Sequence, residues 1–157
     1  MTRDEKLQQI ADEFGFPLGE AIKVGGRYAP VVISGDTVYV AGQIPRIVDQ
    51  VHFIGAAGTD ISLEDARRAA GISALRGLVL AQLACGSLNA ISAVPRIGVF
   101  VRSAPDFTLQ SEVADGASDV LYSVLGEVGV HVRTSVGVLQ LPKGAVVEVE
   151  FVFKLEG

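Results

Sequence analysis

The last quarter of the chain sets one arginine and two glutamates on a β-rich, otherwise apolar background: Arg133-Thr-Ser-Val-Gly-Val-Leu-Gln-Leu-Pro-Lys-Gly-Ala-Val-Val-Glu148-Val-Glu150-Phe-Val-Phe. A guanidinium stays charged at any workable pH and can hold a carboxylate through two parallel hydrogen bonds. A glutamate that loses solvent keeps its proton to higher pH, while a nearby arginine acts the other way, and the balance can leave Glu148 able to take a proton from water. Side chains alternate along a strand, so Arg133, Ser135, Gly137 and Leu139 share one face, and on the return strand Glu148, Glu150 and Val152 share another. If Pro142 and Lys143 form a hairpin turn, Gly137 falls opposite Glu148 and Ser135 opposite Glu150, and guanidinium, hydroxyl and carboxylates line one surface. The same spacing allows Arg133 to be neutralised by Glu148 or Glu150 as a structural ion pair, and it does not rank the two glutamates.

Other polar residues offer less. Ser135 has no histidine near it in sequence to act as a base, so it reads as a hydrogen-bond donor, and His131 reads as a loop residue before a strand. His52 and His131 are the only histidines, with no acidic residue at ligand spacing, and no metal site is expected. Gly25-Gly26 and Gly55-Ala-Ala-Gly58 match neither phosphate-binding glycine pattern and read as turns. Tyr28, just past the double glycine, is either a half-buried structural ring or the lid of a small pocket with a hydroxyl to offer.

These residues need a scaffold. Leu7, Ile10, Ala11 and Phe14 recur at helical spacing, with stop signals at Gly15 and Pro17, so residues 1–18 read as a helical lead-in to one domain over 19–157. Ala21 to Val24, Tyr28 to Ser34 and Thr37 to Ala41 read as strands around the turn Gly35-Asp36, and Val51 to Ile54 as a further strand. Ser62 followed by Asp65 starts a long helix that runs to Gly86. The spacing of Ala66, Ala69, Ala70, Ser73, Gly77, Leu80, Ala81 and Ala84 gives a mostly small-residue face toward a sheet. Ile97 to Arg102 is a strand, Ser103 to Asp106 its turn, and Val113 through Val128 a second long helix before the closing hairpin. The pattern predicts an α+β fold with a mixed β-sheet and two long helices on one face. The other face is too apolar for open water, so closure by identical subunits around a symmetry axis is expected.

With 157 residues, 49% of them hydrophobic and 20% charged, the chain can bury roughly two-thirds of its unfolded surface, which suits a single domain and excludes disorder. A net charge of −5 without a lysine or arginine cluster argues against nucleic acid as a partner. The lone Cys85 permits no intrachain disulfide and reads as core filling in a reducing compartment. The charged beginning lacks a secretory apolar stretch, and the longest apolar run, residues 77–86, is too short for a bilayer. A soluble, cytoplasmic protein with no membrane association is expected.

Three segments together resemble the RidA/YjgF superfamily of reactive-intermediate deaminases: Tyr28 with Val-Tyr-Val-Ala-Gly42-Gln43-Ile44-Pro45 downstream, Val99-Phe-Val-Arg-Ser-Ala-Pro-Asp106-Phe107, and Arg133-Thr-Ser-Val-Gly-Val-Leu-Gln-Leu-Pro142 ending in Val-Glu148-Val-Glu150. Ser-Ala-Pro-Asp-Phe-Thr followed by Asp-Gly-Ala-Ser-Asp is closest to a less characterised, endoribonuclease-like branch. The resemblance implies a chorismate-mutase-like fold and a homotrimer with clefts between subunits. It also implies cofactor-independent hydrolysis of enamines or imines derived from amino acids, of the 2-aminoacrylate type, to a 2-keto acid and ammonia. By the same match Arg133 would hold the carboxylate of a small-molecule substrate and Glu148 would position and deprotonate water. Tyr28 and the backbone at Gly42 would line the cleft, with Glu150 secondary. Ser135 stands where deaminating members commonly have cysteine, and Ser111 where they have asparagine, both near the expected cleft. Two other readings follow, a non-catalytic trimer that binds small carboxylates and an endoribonuclease-like protein.

Overall fold

Helix α1 (Arg3–Glu13) is closed by a capping box, in which the Thr2 hydroxyl accepts from Glu5 N at 3.1 Å and Glu5 Oε2 accepts from Thr2 N at 2.7 Å. The computed structural model describes residues 1–20, 22 and 24–157. Leu7 and Ala11 are fully buried in the main core. Asp4 ties α1 to the far end of the next helix, accepting from Gln82 Nε2 at 2.8 Å and Leu88 N at 3.0 Å. Helix α2 (Leu63–Cys85) starts where the sequence places it, with the Ser62 hydroxyl accepting from Asp65 N at 3.1 Å, and stops at Gly86 in a left-handed conformation, φ 86°. Helix α3 (Gln110–Leu125) begins three residues before the first apolar marker of its pattern.

The strands are β1 (Val31–Ser34), β2 (Thr37–Gln43), β5 (Ile91–Arg102), β6 (Val132–Val138) and β7 (Val147–Leu155), joined in the order β1-β2-β7-β5-β6. A separate two-stranded ribbon, β3 (Arg46–Ile47) with β4 (Gln50–Val51), replaces the strand expected over Val51 to Ile54. Of the strand expected over Ala21 to Val24, Ala21 and Lys23 lie outside the described residues, and Ile22 and Val24 are not in a strand. Alternate residues of β7, Val147, Val149, Phe151 and Phe153, are buried beneath α2 and α3 with Ile97, Val99 and Val101 of β5. Both long helices therefore cover one face, as expected. The other face exposes Val32, Tyr39 and Val136.

The closing hairpin does not form. β7 lies between β2 and β5, while β6 pairs with β5 in parallel, in the register Ile97↔Arg133 and Phe100↔Val136. The physical reason is the connection through α3: a strand, a crossover helix and a second strand are placed side by side in parallel, and the eight residues between Val138 and Val147 then carry the chain across the intervening strand. The parity consequence is complete. Ile97 faces the helices, so its partner Arg133 does too, whereas Glu148 and Glu150, paired with Phe100 and Gly98, face the open side. Arg133 does not share a face with either glutamate, and the pairs Gly137–Glu148 and Ser135–Glu150 do not exist.

The two long helices pack so closely that a Cβ on Gly116 would stand 2.0 Å from the Arg67 carbonyl oxygen. Gly77 likewise admits the Phe151 ring, at 2.3 Å from where a Cβ would be. Gly116→Ala gains about 1 kcal/mol of helix propensity but forces a backbone apart, at a cost of about 3 kcal/mol. Urea denaturation should show a net loss of about 2 kcal/mol, and an unchanged midpoint would mean that the helices cross less tightly.

Candidate functional site

The site begins with a one-residue bulge. Val40 pairs with Phe151 and Gln43 with Val149, so Ala41 and Gly42 on β2 stand against Glu150 alone on β7. Without the extra residue, Gln43, three positions after the core residue Val40, would point to the opposite face. With it, Gln43 faces the helices, is 6% exposed, and accepts a hydrogen bond at Oε1 from Arg76 Nε at 3.1 Å. Its own amide nitrogen donates to Ala41 O at 3.0 Å, which fixes its orientation. β2 ends at Gln43 and β7 begins at Val147, so a cleft of about 210 Å³ opens past the end of the sheet, where side chains from both faces meet. Tyr28, Gly42, Arg46, Arg76, Lys143 and Glu148 line it.

Arg76 is the unusual member. It lies in the middle of α2, is 3% exposed, and has only neutral partners: Gln43 Oε1 and, through Nη1, the Arg46 carbonyl at 2.9 Å. No described carboxylate forms a salt bridge with it. Burial, and then the like charge of Arg46, pushes its pKa down to about 10, with Tyr28 acting in the opposite sense, so it stays cationic at neutral pH. A buried charge without a counter-ion costs several kcal/mol. Arg46 adds an unsatisfied donor, since its Nε is buried and has no hydrogen-bond partner.

Glu148 supplies the acid. It is half-buried, and burial, followed by repulsion from Glu150, raises its carboxyl pKa above the usual value. It lies flat on Gly42: a Cβ there would meet Glu148 Cδ at 2.8 Å. Glu150 leans the other way, over Gly98 of β5, where a Cβ would meet Oε1 at 2.7 Å, and lines a separate hollow with Tyr39 and Arg96. Two glutamates that the sequence leaves equivalent are thus split by the glycines beside them, and only Glu148 reaches the cleft.

Of the six expected site residues, Tyr28, Gly42 and Glu148 come together, and Arg133, Ser111 and Ser135 do not join them. Arg133 reaches under α3 to residues spaced on one helical stripe. Nη2 donates to Asp115 Oδ1 at 2.7 Å and to the carbonyl and hydroxyl of Ser111 at 2.8 and 3.1 Å, and Nη1 donates to Ser118 Oγ at 2.7 Å. It is neutralised within its own chain, though by Asp115 rather than by Glu148 or Glu150. Ser111 belongs to this network, and Ser135, paired with Val99, lies on the same side of β6 as Arg133. His131 is also engaged. Its Nδ1 donates to Gly129 O at 2.6 Å, which leaves Nε2 in the neutral ring to accept from Ser118 Oγ at 2.8 Å.

Sequence reasoning missed Arg76, Arg46 and Gln43. A signal existed for Arg76: it lies seven residues after Ala69, three after Ser73 and four before Leu80, on the very stripe that α2 turns toward the sheet. A lone arginine on a buried stripe calls for a polar reason. No such signal marks Gln43, whose direction depends on the bulge.

Comparison with known proteins bears on this arrangement. Residues 9–154 match the family described as "YjgF/chorismate mutase-like, putative endoribonuclease". The chain belongs to the RidA/YjgF family. Within it, the chain is 40% identical over 142 residues to "Protein TCP17" of Trypanosoma cruzi, covering 90% of this chain and 89% of that one. Its fold matches the crystal structure of Atu1372 from Agrobacterium tumefaciens, a protein of unknown function, at TM-score 0.88 and 33% identity over 99% of this chain and 95% of that one. RidA from an Antarctic Psychrobacter superposes at TM-score 0.58, with 25% identity over 89% of this chain and 98% of that one. The family membership and the α+β fold drawn from the sequence motifs therefore hold.

The raised pKa of Glu148 has two consequences with opposite signs. As a base it must be ionised, so activity that depends on it should rise with pH along a limb lying above the ordinary carboxylate range, and Glu150→Gln, which removes the like charge, should move that limb to lower pH. Stability runs the other way, because a carboxyl whose folded pKa is raised favours the folded state when protonated and loses that contribution as pH rises through it. Glu148→Gln should therefore melt higher than the parent at about pH 8 and with it at about pH 4. Thermal scans at both values that show no difference would refute the burial argument.

Proposed function

We propose that this cleft takes a small imine or enamine derived from an amino acid and hydrolyses it to a 2-keto acid and ammonia. The observation that carries the reading is the Arg76 guanidinium, buried, cationic and without a carboxylate partner, on the wall of a cleft that also holds a glutamate of raised pKa. A substrate carboxylate supplies the missing counter-ion, and binding at a buried cation fixes the reacting carbon beside Glu148.

The chemistry needs no further group. An enamine first becomes its imine tautomer. Glu148 takes a proton from water as the water oxygen bonds to the imine carbon, and the C=N electron pair moves to the nitrogen, which takes a proton from solvent to give a carbinolamine. Glu148 then returns its proton to the nitrogen, the C–N bond breaks, ammonia leaves, and the hydroxyl proton passes back to solvent as the carbonyl forms. The glycine at position 42 leaves backbone, not a side chain, against the carboxylate, so the carboxylate can sit against the cleft wall.

Assembly belongs to the same proposal. The exposed Val32, Tyr39 and Val136 on the uncovered sheet face favour a homotrimer closed over that face, with the cleft at a seam between copies. Its solution mass would be three times the 16.4 kDa of the chain. A cytoplasmic location is part of this reading, and among the described residues no helix is long and apolar enough to cross a membrane. The family description also carries an endoribonuclease label. The net charge of −5 and the engagement of His131 by Ser118 and Gly129 argue against RNA cleavage by this chain.

Three variants test the assignment in a coupled assay that releases 2-aminoacrylate and reads ammonia, with pyruvate binding measured by calorimetry. Glu148→Ala should lower turnover by about 100-fold or more and leave pyruvate affinity within about threefold, whereas equal turnover would remove Glu148 from the mechanism. Arg76→Met should weaken pyruvate by at least about tenfold, about 1.4 kcal/mol. Arg133→Ala should lower stability by about 1–3 kcal/mol with pyruvate affinity kept. The reverse result for the two arginines would return Arg133 to the site, contributed across a seam.

A further inference from the structure

The cations of the cleft outnumber its acids. Arg46, Arg76 and Lys143 line it, and Glu148 is the sole carboxylate among the described lining residues. None of the three cations forms a salt bridge with a described residue. A guest with one negative charge satisfies Arg76 and leaves two cations, Arg46 and Lys143, with one further acid beside them, Asp49 of the adjoining hollow. A guest with two brings a second carboxylate to that pair.

The cations also stand at two depths. Arg76 is buried, whereas Lys143 is exposed, and Arg46 and Lys143 are shared between the cleft and an adjoining hollow of about 530 Å³ that Asp49, Gln50, Val51 and Ile54 complete. The Arg46 carbonyl holds Arg76 in place, while the buried Arg46 Nε finds no hydrogen-bond partner. Lys143 shows a second peculiarity: its backbone is left-handed, φ 59° and ψ 16°, in the turn Pro142-Lys143-Gly144. A side chain there is strained. That conformation sets Lys143 on the shared rim of cleft and hollow.

We propose that the preferred guests are imines or enamines of acidic amino acids, whose first carboxylate meets Arg76 and whose second meets Arg46 and Lys143 at the rim. This rests on the reading of the cleft as an imine-hydrolysing site and narrows its substrate class to dicarboxylates of four or five carbons. The reaction is unchanged, since the second carboxylate takes no part in bond making and serves to place the reacting carbon. Electrostatic complementarity of this kind discriminates between guests because a monoanion leaves the two rim cations with fewer carboxylates than a dianion does.

Calorimetry on the whole protein with two product-like acids of equal length decides it: 2-oxoglutarate, with the second carboxylate, and 2-oxopentanoate, without it. The expected result is at least about tenfold tighter binding of 2-oxoglutarate. In both Lys143→Asn, a residue that tolerates left-handed backbone, and Arg46→Gln, the preference should fall below about threefold, and Lys143→Arg should keep it. Equal or tighter binding of 2-oxopentanoate, still weakened by Arg76→Met, overturns the dicarboxylate inference and leaves the site reading intact. Binding of neither acid, or binding indifferent to Arg76→Met, overturns both.

Discussion

A guanidinium inside the molecule, held by neutral oxygens and left without an acid, is the constraint around which this protein is arranged. Arg76 is buried at the middle of α2, where a methionine or leucine would pack at no electrostatic cost. Its position needs the glutamine side chain below it, the glutamine needs the bulge in β2, and the bulge places Gly42 against Glu148. Each step is local chemistry, and together they bring a cation from the helix face and a carboxylate from the open face to the same end of the sheet. A charge kept at several kcal/mol of desolvation indicates that something other than stability retains it.

The two glutamates show how environment assigns roles to identical groups. Residues two apart on one strand share a face, and nothing in their own covalent structure distinguishes them. The difference lies across the ladder, where β2 offers Gly42 to one and β5 offers Gly98 to the other, so the side chains lean apart. Glu148 is drawn toward the sheet end and loses solvent, and its carboxyl holds a proton more tightly. Glu150 stays exposed and contributes mainly as a neighbouring negative charge. Small residues here act by the space they leave to a neighbour's side chain.

Much of the scaffold was legible because it is set by local rules. Ser62 and Gly86 bracket α2 by capping and by left-handed backbone, the small stripe of α2 does face the sheet with Gly77 over Phe151, and the single-face helix layer follows from the element order. The closing hairpin that the sequence suggests does not form because pairing is a long-range property: the insertion of β7 between β2 and β5 leaves no mark in the alternation of residues 133–153, yet it reverses which face Arg133 occupies. The crossover helix α3 was the available warning, since a strand-helix-strand unit favours parallel neighbours. Of the residues lining the candidate cleft, Tyr28, Gly42 and Glu148 are legible in the sequence. The cationic side is not, with Arg76 masked by the apolar and small residues around it and Gln43 turned by a bulge that has no sequence signature.

The fate of Arg133 follows from comparing two exchanges. Within one chain it makes four hydrogen bonds, one of them to the Asp115 carboxylate at 2.7 Å. A guest carboxylate at Arg133 would displace one charge-assisted bond to form another, and the displaced Asp115 would have to be resolvated or repaired elsewhere, so the net gain is close to nothing. A guest carboxylate at Arg76 would displace no carboxylate and would end the burial of an unpaired charge. The same interaction, arginine with carboxylate, is therefore worth far more at the second position, because its value depends on what the guanidinium gives up. By that measure Arg133 is a strut that ties β6 to α3 through Asp115, Ser111 and Ser118, and the guanidinium with most to gain from an anion is the one at the end of the sheet.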